Sequence, residues 1–443
     1  MIYFIILIGI VLAAFSWLKP KWAFYLMLAL IPFHPFLLTS VSHFLHFDAS
    51  EQNLFAAWKE LILFVLLIRY LWTIAKVKNF KPNILLVDKI IFTLFIIAII
   101  SSFVFTRDFK TALLGLRYDF EMFLIYFLAR GLDWGGLEIR KIVAIVLSSG
   151  LIVAIFAILQ YLVLPSNFLT YFGYSQNTVW FPGSALPSFQ AIGGSGIARS
   201  QSFLAGPNQL ASYLLILISF AIVFIYQAKN HKAKIIFGLY LLIFLSALIF
   251  TFSRSGLVGF LAILITFLLI ILERKQIIYL FIGTILIGLV FWLVFKNLSS
   301  QFINIFIEHQ GSTLERFGRI QDGIKKIIKN PLGIGIGKAG LVSYQIDKAK
   351  SILPENWYLQ IALEMGILGL IAYLAIIWEF LKNLRLKFKN RKDNFQNKLA
   401  ISVFLSLIGL SVYSLFLHTW SDISTTLTFW ALLGIIYSRR VFQ

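Results

Sequence analysis

Among 443 residues there is no cysteine, which excludes disulfides, thiolate metal sites and thiol chemistry, and leaves any loop in an oxidising compartment to be held by packing and hydrogen bonds. Charged residues are also scarce, at 13% against 60% hydrophobic, and the mean hydropathy is +0.87. A water-exposed surface needs about twice that charge, which sets aside soluble enzymes, secreted scaffolds and soluble nucleic-acid binders. Acids are the scarcest: 19 Asp and Glu stand against 39 Lys and Arg, a formal net charge of +20. In a soluble chain that excess suits nucleic acid, whereas in a membrane protein its first use is to fix orientation.

What fills the chain instead is a series of long apolar runs, near residues 2–18, 22–38, 54–75, 88–105, 112–129, 141–164, 208–227, 235–252, 256–272, 277–295, 357–381, 399–417 and 423–438. At roughly 20 helical residues per crossing this predicts about 13 transmembrane helices, within a range of about 12 to 14. The runs are unbroken rather than alternating, which excludes an outer-membrane barrel. The expected fold is all-α, a polytopic integral membrane helical bundle. Its expected division is an N-terminal transmembrane bundle (1–296, with an external loop at 165–207), a large extracytoplasmic loop with an amphipathic helix (297–356), and C-terminal transmembrane helices (357–443).

Alternate connections carry the basic clusters: Lys19 and Lys21; Lys76, Lys78, Lys81 and Lys89; Arg130, Arg140 and Lys141; Lys229, Lys232 and Lys234; Arg274 and Lys275; Lys382 through Lys398; Arg439 and Arg440. By the positive-inside rule these face the cytoplasm. The intervening connections, Thr39–Asn53, Thr106–Lys110, Pro165–Pro207, Ser253–Ser255, Asn297–Glu355 and His418–Asp422, then face outward, with the N-terminus outside and the C-terminus inside. The first run is followed by Lys-Pro-Lys without a small-residue cleavage site and reads as an anchor.

Two outward segments exceed ordinary connector length. The first carries Phe168, Tyr171, Phe172, Tyr174, Trp180, Phe181, Phe189 and Phe203, which suits packing on the membrane surface, covering a cavity or stacking on sugar rings; an interfacial aromatic belt is the plainer alternative. The second places Leu314, Phe317, Ile320, Ile324, Ile327 and Ile328 at helical spacing, with Glu315, Arg319, Asp322, Lys326 and Lys329 opposite, an amphipathic interfacial helix. Behind it comes Asn330-Pro331-Leu332-Gly333-Ile334-Gly335-Ile336-Gly337-Lys338. This contains Gly335-x-Gly337-x-x-Gly340, but no strand precedes it, so a dinucleotide site is rejected, as is a Walker A loop. A tight structural turn or a phosphate-facing turn remains.

Arg254, in Phe252-Ser253-Arg254-Ser255-Gly256, sits between two apolar runs with almost no loop, where a guanidinium must be paired or face a polar cavity. Arg199 precedes Pro207-Asn208, and Arg316 lies at the edge of the amphipathic stripe. Three outward arginines suit a phosphorylated ligand, because the planar guanidinium grips phosphate bidentately and stays charged; lipid-headgroup contact is the alternative. Glu355, in Pro354-Glu355-Asn356-Trp357-Tyr358-Leu359-Gln360, is the acid at the point of re-entry, suited to be a general base or a helix cap. Glu364 lies further in and suits orienting a partner.

These stretches resemble the O-antigen ligase and polymerase (Wzy/WaaL-like) family of bacterial polysaccharide enzymes. The resemblance rests on Phe250–Gly256, on Arg316 through Asn330-Pro331-Leu332-Gly333-Ile334-Gly335, on Glu355–Gln360 running into Glu364-Met365-Gly366-Ile367-Leu368-Gly369, and more loosely on Arg199 with Pro207-Asn208-Gln209-Leu210-Ala211. It implies a GT-C-like glycosyltransferase of the bacterial inner membrane that works on the periplasmic or extracellular side. Such an enzyme takes a glycan from an undecaprenyl diphosphate carrier to a hydroxyl on a glycan or lipid acceptor, with no cofactor, metal or nucleic acid. Ligases carry His-Asn or His-Ser where this chain has Glu355-Asn356, which leans the expectation toward a polymerase.

The expected catalytic residues are Glu355 as base and Arg199, Arg254 and Arg316 stabilising the leaving diphosphate, with inversion at the anomeric carbon. Asn356, Trp357, Tyr358, Arg319, Lys338 and Asn208 are expected to bind substrate. The alternative is a transporter or flippase for a lipid-linked sugar or small solute, which predicts ionisable groups at mid-membrane; Lys59 and Glu60 are the clearest of these.

Overall fold

The computed structural model describes residues 1–76, 84–177, 185–191, 197–273, 310–347, 351–389 and 395–438, with side chains 310–317 and 389 left out. It is mostly helical. The helices are α1 (Ile2–Leu18), α2 (Pro20–Leu30), α3 (His34–Phe44), α4 (Ala49–Ala56), α5 (Trp58–Lys76), α6 (Leu86–Ser101), α7 (Phe109–Gly131), α8 (Gly136–Leu162), α9 (Pro207–Tyr226), α10 (His231–Phe250), α11 (Arg254–Ile271), α12 (Gln310–Lys329), α13 (Gly340–Ile346), α14 (Trp357–Lys389), α15 (Phe395–Tyr413) and α16 (Ile423–Ile436). A two-residue antiparallel pair, β1 (Gln190–Ala191) with β2 (Ala198–Arg199), lies in the long segment before α9.

Eight helices or helix pairs among the described residues are long and apolar enough to cross a membrane: Pro20–Phe44, Leu86–Thr106, Gly136–Leu162, Pro207–Tyr226, His231–Phe250, Arg254–Ile271, Trp357–Phe388 and Phe395–Tyr413. The chain is therefore a multi-pass helical membrane protein. The runs at 2–18 and 423–438 form the shorter apolar helices α1 and α16. The runs at 54–75 and 112–129 are helical too, but α5 and α7 carry several charges, and the run at 277–295 lies outside the described residues.

The expected Thr39–Asn53 loop is mostly helix. Pro32 and Pro35, placed where a helix start lacks partners for its N–H groups, turn the chain through Ile31–Phe33 into α3. A capping box, in which Asp48 accepts from the Ser50 and Glu51 amides and Glu51 accepts from Asp48, then starts α4.

Helix α9 is buried along nearly its whole length and forms the centre of the bundle, flanked by α10, α15 and α16. Small residues let neighbours approach: an added Cβ on Gly259 would come within 3.1 Å of the Gly409 carbonyl, and one on Gly434 within 2.4 Å of the Tyr126 carbonyl. At one end of the bundle the basic connections meet, with Lys21 to Glu138 at 2.8 Å, Arg130 to Asp88 at 2.6 Å and Lys398 Nζ donating to the Gln227 carbonyl at 2.6 Å. At the other end the remaining turns are stitched together. Ser200 N donates to Phe250 O (2.9 Å), Trp357 N to Ser414 O (3.0 Å), Tyr413 Oη to Asn208 O (2.7 Å), and Ser424 Oγ to Ile31 O (3.0 Å). The two sets of connections separated by charge in the sequence are thus separated in space.

Candidate functional site

At this second end the buried Gln160 organises the turn before α9. Its Oε1 accepts from the amides of Gln201 (3.1 Å) and Ser202 (2.8 Å), polar groups that would otherwise be stranded in an apolar bundle. That turn delivers Arg199, whose Nε donates to the Thr251 carbonyl (2.8 Å) and whose Nη2 donates to Asn208 Oδ1 (2.9 Å). Two residues past Phe252, which adopts a left-handed backbone at φ 48°, Arg254 is the exposed first residue of α11, capped by Ser253.

Glu355 sits on the other side of the end of α15. Its backbone is left-handed (φ 47°), a conformation that a non-glycine residue holds only when its surroundings enforce it. The next residue is anchored: Asn356 Nδ2 donates to the Leu415 carbonyl (2.8 Å), while its Oδ1 caps α14 by accepting from Leu359 N (3.0 Å). Arg319 on α12 reaches across to Glu355 Oε1 at 2.5 Å. Arg199, Asn208, Arg319, Glu355 and Asn356 therefore converge around the last turn of α15, through Tyr413, Ser414 and Leu415. Arg316 falls within α12, but its side chain lies outside the described residues.

Other expected residues are placed differently. Trp357 is 0% exposed, edge-on to Tyr373, and belongs to the core, with no ring face for a sugar. The Tyr358 hydroxyl donates to the Ser411 carbonyl (2.8 Å), and Lys338 Nζ donates to the Phe105 carbonyl (2.6 Å). Trp180 and Phe181 lie outside the described residues. Phe172 and Phe203 pack on Phe36, and Phe203 stacks on Phe156 at 4.2 Å, so this part of the aromatic segment is packed into the protein.

The glycine run is a structural turn. Gly333, Gly335, Gly337 and Gly340 all have positive φ, and the loop threads between the end of α6 and a break in α14 at Gly366. Glu364, 1% exposed, accepts the Gly337 and Ala339 amides on Oε1 at 3.1 Å each, and Gly335 N donates to its carbonyl. The amides that could cradle a phosphate are already taken. The amphipathic helix α12 approaches α14 through Gly323, near Leu359 and Leu363, and leaves Ile324 and Ile328 exposed, as an interfacial helix does.

Beside the α15 end opens a cavity of about 680 Å³. Its lining takes Asn208 and Gln209 from α9, Gln345 from α13, His418 and Asp422 from the turn before α16, Lys59 from α5, and Arg117 and Glu121 from α7. Neither His418 nitrogen has a hydrogen-bond partner among the described residues. Burial, followed by the Arg319 charge, holds that imidazole down at about 4, so it is neutral at physiological pH. Burial lifts Asp422 to about 6, against the opposing pull of hydrogen bonds from Thr425 and Ser424. The His418–Asp422 turn is legible in sequence as a polar turn between two apolar runs, but nothing in its spacing marks it as part of a site.

Residues 239–374 match the Wzy_C family, O-antigen ligase. The resemblance read from the sequence is borne out over this stretch, which is similar to the O-antigen ligase family. The match takes in Arg254, Arg316, Arg319, Lys338, Glu355 and Asn356; Arg199, Asn208, His418 and Asp422 lie outside it. No curated protein matches the chain.

Proposed function

We propose that the protein transfers a glycan from an undecaprenyl diphosphate carrier to an acceptor hydroxyl at the outer face of the cytoplasmic membrane, as a polymerase or ligase of GT-C-like type that needs no metal. The observation that carries this is the convergence of Arg199, Asn208, Arg319 and Glu355 around the last turn of α15, beside a cavity of ligand size, in a chain with a stretch similar to the O-antigen ligase family. The acceptor hydroxyl gives its proton to Glu355 and attacks the anomeric carbon as the bond to the diphosphate oxygen breaks, which inverts the centre. Arg199, Arg254 and Arg316 stabilise the charge growing on the leaving diphosphate. A preplaced donor of this kind is worth about 3 kcal/mol. His418 is a second group fit to take the proton, being neutral and, among the described residues, unpartnered on the cavity wall.

The test is purified protein in lipid nanodiscs, given lipid-linked oligosaccharide from the producing cells and candidate acceptors. A ladder of products marks a polymerase and a single added block a ligase. No new glycosidic bond with any acceptor overturns the reading.

One observation favours a second reading, transport: Lys59, Arg117 and Glu121 line the cavity, with both cations paired to Glu60, and α14 is broken at Gly366. Net flux of lipid-linked glycan into empty liposomes without bond formation would establish it.

A further inference from the structure

Charged residues of α5 and α7 line the same cavity as Asn208 and His418, and the transfer chemistry does not use them. Lys59 is 2% exposed; its Nζ donates to Glu60 Oε1 at 2.6 Å and to the Ala56 carbonyl at 3.3 Å, and Arg117 donates to the same Glu60 oxygen. Both cations are thus committed to one carboxylate oxygen. Glu60 Oε2 and Glu121 Oε1 are shielded from solvent and have no hydrogen-bond partner among the described residues. A carboxyl oxygen accepts hydrogen bonds, and leaving a buried acceptor unmet is costly, so these two oxygens call for a donor.

The charge pattern narrows the class of ligand. A phosphate or uronate here meets the Glu60 carboxylate and the unmet Glu121 oxygen, and an amine meets a lysine and an arginine; neither matches the whole cluster. A neutral polyhydroxyl ring meets no such mismatch, because each O–H both donates and accepts. The lining of the cavity also offers the remaining guanidinium donors of Arg117 and the amides of Gln52, Gln209 and Gln345, with Gln345 Nε2 donating to Tyr118 Oη at 3.2 Å.

We infer that this wall is the subsite for a neutral sugar ring of the glycan, with Glu121 accepting from ring hydroxyls, Arg117 donating to them, and Gln345 closing the ring's far edge. The inference rests on the glycosyl-transfer reading and adds where the sugar is held, in the cavity that Asn208 also lines. All of these residues except Gln345 lie outside the segment that matches the O-antigen ligase family. The sugar is then chosen by helices separate from those that carry the family motif.

The experiment compares the unaltered protein, Glu121→Gln and Gln345→Ala in nanodiscs, with two probes: lipid-linked oligosaccharide from the producing cells, and undecaprenyl diphosphate bearing no sugar. Gln345 is exposed on a short helix, so its variant stays readable if Glu121→Gln fails to fold. Each variant is expected to weaken binding of the oligosaccharide probe about tenfold or more, the worth of a hydrogen bond to a charged or buried group, and to leave undecaprenyl diphosphate binding unchanged. Binding of both probes by the unaltered protein, with neither variant affecting the oligosaccharide, overturns the subsite and leaves the donor reading standing. Equal weakening toward both probes also overturns it, as a merely structural effect. If the unaltered protein binds neither probe, the donor reading falls and the subsite with it.

Discussion

Arg319 on the amphipathic helix α12 donates to Glu355, a residue held in a left-handed backbone one position before the asparagine that caps α14. The pair ties the interfacial helix to the transmembrane bundle. It gives Glu355 a fixed direction and keeps a cation within 2.5 Å of its carboxylate.

Replacing Glu355 by Gln keeps its shape and removes the base. Turnover with lipid-linked glycan is expected to fall about 100-fold or more with little change in thermal midpoint. His418→Gln tests the other proton acceptor in the same assay. Full activity in Glu355→Gln, with activity lost in His418→Gln, moves the base to the imidazole.

Arg199 bridges Thr251 and Asn208 through two separate nitrogens. Arg199→Lys has one point charge and no fork, so it is expected to recover little of what Arg199→Ala loses, a loss of about 100-fold or more in kcat. A lysine variant with unaltered turnover contradicts a bidentate role.

Two groups in one turn oppose each other in pH dependence. Asp422 titrates at about 6 when folded and at an ordinary 3.8 when unfolded, so between those values the fold keeps a proton that the unfolded chain has released, and stability falls as pH rises. His418, held at about 4 against an ordinary 6.5, refuses a proton that the unfolded chain accepts, so stability falls as pH drops through that window. Between about pH 4 and 6 the two offset. Asp422→Asn keeps a capping acceptor and removes the first effect. It is therefore expected to gain about 3 kcal/mol over the unaltered protein above pH 6 and to show a thermal midpoint that climbs from pH 4.5 to 6.5. A flat profile in that variant disproves the assignment.

Gly366 breaks α14 at φ 72°, and a Cβ there would lie 2.5 Å from the Leu332 carbonyl carbon and 2.6 Å from the Pro331 oxygen. Gly366→Ala is expected to cost about 2 kcal/mol or more and to loosen the glycine turn, read as a lower thermal midpoint and faster proteolysis near residues 331–340. An unchanged midpoint would falsify the account of that turn as a tight joint between loop and helix.

Hydropathy alone located the apolar runs, and the alternation of Lys and Arg sorted the connections into two sets that the bundle keeps at opposite ends. Both are local properties of the chain, set by how many residues span a bilayer and by where charge is tolerated. The motif residues Arg199, Asn208, Glu355 and Asn356 were legible for the same reason, since charge and amide groups beside apolar runs are rare. Which of them meet was settled only by packing. Trp357 turned inward to Tyr373, Glu364 took the glycine amides, and Lys59 and Arg117, 58 positions apart, closed on a single oxygen of Glu60 across two helices. A cavity walled by α5, α7, α9, α13 and the turn before α16 has no linear signature, because it exists only where helices distant in sequence are brought side by side.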